Sequence, residues 1–158
     1  MKITKYAAID IGSNALRLLI SNVIEYKKET ITLKNSLVRV PIRLGEDAFT
    51  TGIISRKNIK QIIRSMKAFK NLMKVHNVKN YLAFATAALR EAKNGKDVVN
   101  RVKKKSGINI QIINGKKEAK IISNCNVFEG IDPKKTILYI DVGGGSTELS
   151  IIRNKKVL

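Results

Sequence analysis

Tyr6-Ala7-Ala8-Ile9-Asp10-Ile11-Gly12-Ser13-Asn14 has an order of residue types that returns far downstream as Ile137-Leu138-Tyr139-Ile140-Asp141-Val142-Gly143-Gly144-Gly145-Ser146-Thr147-Glu148. Each stretch reads as an apolar strand, an acid at the strand end, a glycine turn, a polar residue and a further strand. A carboxylate there suits a divalent cation. Main-chain amides in a glycine turn form an anion nest. Two such turns facing each other would clasp a phosphate chain and its metal, and the duplication implies two similar domains.

Working outward, residues 5–11 and 16–24 read as strands around the turn at Gly12-Ser13-Asn14, and 29–40 as a third, antiparallel strand. Pro41 and Gly45 close this meander, with a loop expected from Gly45 to Gly52. Ser55 is placed to N-cap a helix running to about Val75, with Ile59, Ile62, Ile63, Met66, Phe69, Leu72 and Met73 at helical spacing. A strand at 79–85, a helix from Asp97 to Lys105 ended by Ser106-Gly107, a strand at 108–113 and a helix from Lys116 to Glu129 follow. That helix would turn Ala119, Ile122, Cys125 and Phe128 to one face. The order β-β-β-α-β-α-β-α predicts an α/β domain over 1–132. Asp132-Pro133 reads as a hinge, and 133–158 as the first strands of a second domain whose remainder is expected to lie beyond this chain.

Composition narrows the classes. With 44% hydrophobic residues among 158, the chain is no disordered tail. Cys125 is the single cysteine and His76 the single histidine, which excludes an internal disulfide and a Cys/His metal cluster. The lone thiol fits a reducing cytoplasm. His76 falls at a helix C-terminus, a capping position. No apolar run is long enough to cross a membrane, and Asp10, Asn14 and Arg17 interrupt the first apolar segment, so no secretory leader is expected. The formal charge of +19, from 31 Lys+Arg against 12 Asp+Glu, favours polyanions. It is compatible with nucleic acid, with polyphosphate, or with a bias towards Lys, Asn and Ile that serves no ligand.

Single residues carry two readings each. Asp10, Gly12, Ser13 and Asn14 make either a plain hairpin turn or a phosphate loop. Gly143, Gly144 and Gly145 exceed what a hairpin needs and suit close wrapping of phosphates, with Ser146 as a further donor and Asp141 at the strand end as a metal ligand. Arg90, after the 79–85 strand, is either one more surface cation or a bidentate phosphate grip. Glu118 either compensates the macrodipole at a helix start or serves as a general base for an attacking water.

At these residues the chain resembles the exopolyphosphatase/guanosine pentaphosphate phosphohydrolase (Ppx/GppA) family of the actin-like ATPase superfamily. Ala8–Asn14 with Arg17-Leu18 is similar to the family's first phosphate loop, and Ile140–Leu149 to its second. Ala85–Ala92 is similar to its arginine segment, and Ile113–Ala119 to the segment of its catalytic glutamate. The resemblance implies a ribonuclease-H-like (actin-like ATPase) α/β domain, a mixed five-stranded sheet with helices on both faces, plus the start of a second similar domain. It implies Glu118 as base, Asp141 as a catalytic residue that helps to hold Mg²⁺ and the attacking water, Asp10 as a further metal ligand, Gly143, Gly144, Gly145 and Ser146 on the terminal phosphates, Asp10, Gly12, Ser13 and Asn14 opposing them, and Arg90 across the cleft. The implied substrate is inorganic polyphosphate or guanosine pentaphosphate, in a cytoplasmic enzyme for which a homodimer is allowed. Two departures stand out: Lys116 and Lys117 replace the acids that often precede the glutamate, and Asn114-Gly115 replaces Ser-Gly. A non-catalytic polyphosphate or alarmone sensor and an actin-superfamily kinase are the rival readings.

Overall fold

Three long strands open the chain: β1 (Lys2–Ile11), β2 (Ala15–Tyr26) and β3 (Glu29–Pro41), paired antiparallel in sequence order. The computed structural model describes residues 1–27, 29–123, 132, 135–145, 147–154 and 156–157, without the side chains of 122, 123, 141, 148, 156 and 157. β4 (Asn80–Ala85) runs parallel to β1, and β5 (Gln111–Ile112) parallel to β4. The sheet order is β3-β2-β1-β4-β5. This is the mixed five-stranded ribonuclease-H-like sheet that the resemblance implied.

The period-2 pattern explains which face is buried. Ala7, Ile9 and Ile11 of β1 stand opposite Ile20, Leu18 and Leu16 of β2, and all six are buried. α2 (Arg56–Val75) and α4 (Gly95–Ser106) cover this face with Ile59, Ile62, Met66, Phe69 and Met73, and with Val98 and Val102. Ser55 caps α2 by accepting from the Asn58 amide at 3.3 Å, as its sequence position predicts. His76 is the C-cap residue of α2, its amide donating to the Leu72 carbonyl. α4 ends at Gly107, whose φ of 76° is the left-handed conformation of a helix stop. α5 (Gly115–Ser123) approaches the opposite face, where Lys117 Nζ lies 5.2 Å from the Phe84 ring centroid.

Two expectations change. The Gly45–Gly52 segment is not a loop, because Leu44–Thr50 forms a short helix, α1. Leu44 and Ala48, four residues apart, are both buried, Glu46 and Asp47 favour the N-terminal turn, and Gly45 is closely packed, a Cβ there meeting the Phe49 ring and the Ser13 Cβ at 3.2 Å. The 108–113 strand shrinks to Gln111–Ile112. Ile108, Ile110 and Ile113 are buried through packing rather than through the ladder. A further short helix, α3 (Ala87–Glu91), follows β4. The predicted 116–129 helix is described through Ser123, and Cys125 and Phe128 lie outside the described residues.

A second, antiparallel sheet holds β6 (Ile137–Val142), β7 (Thr147–Arg153) and β8 (Lys156–Val157), with Asn154 at φ 53° in the last turn. Ser150 and Ile152 of β7 are buried, and α5 packs against β7 and β8. Leu138, Ile140, Val142, Leu149 and Ile151 are exposed. Among the described residues no helix is long and apolar enough to cross a membrane.

Asp47 ties α1 to α2. Its Oδ2 accepts from the Ser55 amide at 2.7 Å and from Asn58 Nδ2 at 2.8 Å. Burial pushes its carboxyl up, but these bonds and the charge of Lys57 outweigh burial and hold its pKa below the ordinary value. Asp47→Ala is expected to lower stability by about 2 kcal/mol, measured by urea denaturation. A depressed carboxyl stabilises fully above its unfolded pKa and loses that contribution as pH falls through its folded pKa. The difference between wild type and Asp47→Ala should therefore be largest near neutrality and close in acid.

Candidate active site

β1 and β2 meet in a three-residue turn, and the geometry of that turn starts the site. The Gly12 amide donates to the Ala15 carbonyl at 3.1 Å, closing the hairpin. Ser13 is buried, and its carbonyl accepts from the Gly45 amide of α1 at 2.8 Å. The register sets Asp10 opposite Arg17 on the face away from α2 and α4, and Arg17 Nη1 donates to Asp10 Oδ2 at 2.7 Å. Both side chains remain partly exposed, at 42% and 50%.

The second glycine turn lies against the first. A Cβ on Gly144 would overlap the Asn14 side-chain amide, so glycine at this position lets that amide rest against the second turn. A Cβ on Gly145 would overlap the Phe49 ring of α1. Gly12, Ser13 and Asn14 from one turn and Val142, Gly143 and Gly144 from the other line a single cavity of about 500 Å³. Its walls also include Asp10, Arg17, Phe84, Thr86 and Glu118.

Glu118 reaches the cavity from the first turns of α5. Asn114 caps this helix, its Oδ1 accepting from the Lys117 amide at 2.9 Å, and its carbonyl accepts from the Glu118 amide at 3.0 Å. The carboxylate is 20% exposed, with Oε2 buried 3.5 Å from Arg90 Nη1. Arg90 is held in turn by α3 and by the end of β5. Its Nη1 donates to the Ile113 carbonyl at 3.2 Å and its Nε to Glu91 Oε1 at 3.1 Å. The guanidinium thus orients the carboxylate while anchored to main chain.

The structure brings Asp10, Gly12, Ser13, Asn14, Glu118, Gly143 and Gly144 to one cavity. Arg90 and Gly145 are not among the residues that line it. Asp141 is in β6, its main chain paired with that of Glu148 one residue before the cavity-lining Val142. Ser146 lies outside the described residues. Arg17 and Thr86 line the cavity although neither was a predicted site residue. Arg17 was within reach of the sequence, since a turn at 12–14 places it across the ladder from Asp10. Thr86 carried no such signal. Among the described residues no three Asp, Glu, His or Cys side chains cluster tightly enough to hold a metal by themselves.

A family model described as the Ppx/GppA phosphatase family matches residues 23–158. A bifunctional 3-dehydroquinate synthase/phosphatase of Fusobacterium nucleatum is 34% identical over 155 residues, covering 92% of this chain and 22% of that protein. Exopolyphosphatase 1 of Mycobacterium tuberculosis is 29% identical over 147 residues, covering 92% of this chain and 42% of that protein. The crystal structure of the Aquifex aeolicus Ppx/GppA family member superposes with a TM-score of 0.83 at 29% identity, over 99% of this chain and 50% of that one. An exopolyphosphatase from Cytophaga hutchinsonii superposes with a TM-score of 0.82 at 26% identity, over 98% of this chain and 48% of that one. The chain thus spans half or less of the length of each of these relatives. Its match to the family model over most of its length, with the same fold in the solved members, means that the chain belongs to the Ppx/GppA phosphatase family.

Proposed function

We propose that this chain contributes the phosphate loops and the general base of an enzyme that hydrolyses the terminal phosphoanhydride bond of inorganic polyphosphate or of guanosine pentaphosphate. The observation that carries this reading is the position of Glu118: a carboxylate oriented by Arg90 on the wall of a cavity lined by two glycine turns. In this reading a water attacks the terminal phosphorus in line with the bridging oxygen. The bridging P–O bond breaks, orthophosphate leaves, and the remaining chain is one phosphate shorter. Glu118 accepts the proton of the attacking water. Main-chain amides of both turns oppose the charge on the non-bridging oxygens.

Mg²⁺ suits the donors near the turns. Asp10 lines the cavity with a half-exposed carboxylate of which Arg17 engages Oδ2. Asp10 and Asp141 would hold the ion, with phosphate oxygens and water completing its shell, as is usual for magnesium at phosphates. When bound, it supplies positive charge against the substrate's phosphates.

The test is orthophosphate release by the full-length protein with Mg²⁺, from long-chain polyphosphate and from guanosine pentaphosphate in parallel. Glu118→Gln should lower kcat by about 10²- to 10⁴-fold, the range of general-base catalysis, with KM changed only a few-fold. Measurable binding without release by the wild type would overturn the hydrolase and favour a sensor. Release that needs an acceptor alcohol and ATP would favour a kinase. Gly144→Ala should act on KM, raising it a few-fold, because the added methyl displaces the Asn14 side-chain amide from the cavity wall. Chelation of Mg²⁺ should abolish release, and added Mg²⁺ should restore it.

A further inference from the structure

α2 carries its charges in a way that its folding does not call for. None of its residues lines the cavity. Seven of its residues are Lys or Arg and none is Asp or Glu, and no acid occurs anywhere in 48–90. At the chain-wide ratio of 31 basic to 12 acidic residues, a helix this basic would ordinarily include acids. Lys57, Lys60, Arg64, Lys67 and Lys74 follow each other at steps of three and four, with Asn71 completing the series. All six are exposed, on the side opposite Ile59, Ile62, Met66, Phe69 and Met73. They form one solvent-facing line about 25 Å long.

Two of the seven cations have structural roles. Lys70 donates to the Ser106 carbonyl at the end of α4 at 3.1 Å, and Lys74 sits in the last turn of α2, where a cation complements the macrodipole. The other members of the line oppose helix formation. Lys57 and Lys60 lie near the positive end of the dipole, and Lys60 and Arg64 are a like-charge pair at i,i+4. Lys57 is near enough to Asp47 to help depress its pKa, yet among the described residues none of Lys57, Lys60, Arg64 and Lys67 forms an ion pair.

We propose that this line is an accessory binding track for a linear polyanion, and that its occupant is inorganic polyphosphate. The choice of occupant rests on the function proposed above. Regularly spaced cations along one exposed helix face suit a flexible chain that carries charge on every unit. Nucleic acid fits less well, because single-strand binders add aromatic stacking platforms, and the one aromatic residue of α2, Phe69, is buried. The track does not border the catalytic cavity, so its function is to retain a long chain rather than to position the bond that breaks.

The test compares the full-length protein with Lys60→Gln/Arg64→Gln/Lys67→Gln. Affinity for long-chain polyphosphate and for tripolyphosphate is measured by calorimetry across a salt series. The triple variant should lose at least tenfold affinity for the long chain, and its slope of log affinity against log salt should fall by about 2. Tripolyphosphate affinity should stay within twofold. Lys5→Gln/Lys34→Gln/Arg153→Gln removes three charges from β1, β3 and β7, and should change neither affinity by more than twofold. Unchanged long-chain affinity in the α2 variant would overturn the track. An equal loss in the second triple variant would overturn it too, in favour of net charge. A loss confined to single-stranded RNA would overturn the occupant. The affinities are read without turnover, so a protein that releases no phosphate would refute the hydrolase while leaving the track to stand or fall on its own numbers.

Discussion

The Asn14 side-chain amide occupies the space that a methyl group on Gly144 would need, and the two glycine turns meet at that contact. With glycine there, the Asn14 side chain lies against the second turn, and residues of two separate turns line one cavity. The turns belong to different sheets, so the contact also sets where the second sheet meets the first. Main-chain donors held this way need little rearrangement when an anion arrives, which is how preorganised sites gain their strength. Glu118 depends on a second constraint of the same kind. Arg90, fixed by the carbonyl of Ile113, leaves the carboxylate one favoured direction.

Much of the architecture was legible in the residues because local and tertiary preferences agree. α2 has apolar residues at helical spacing and a serine at its cap, and it forms where both signals place it. Gly107 ends α4 because a left-handed residue is needed there. Alternation in β1 and β2 names the buried face correctly. Disagreement arose where packing outweighs local chemistry. Gly45 and Gly52 look like loop residues, yet the burial of Leu44 and Ala48 makes Leu44–Thr50 helical. Ile108 and Ile110 look like strand residues, yet they serve the core and form no ladder.

The site was legible as a set of segments and less so as a geometry. Both glycine turns and the glutamate segment could be read from residue order, since each is a local pattern. That the guanidinium of Arg90 reaches a main-chain carbonyl 23 residues away is a tertiary fact with no local signature. Phe49 beside Gly145 is another, as it comes from a helix that was itself read as a loop.

α1 is seven residues long, too short to hold its shape by itself. Its order is borrowed at both ends: the Gly45 amide donates to the carbonyl of Ser13 in the first glycine turn, and Asp47 accepts from the amide of Ser55 at the start of α2. The first turn, α1 and the opening of the 20-residue helix are therefore linked in series by hydrogen bonds. Linkage of this kind favours their opening together, so an anion seated in the turn would be expected to slow hydrogen exchange as far away as the first residues of α2.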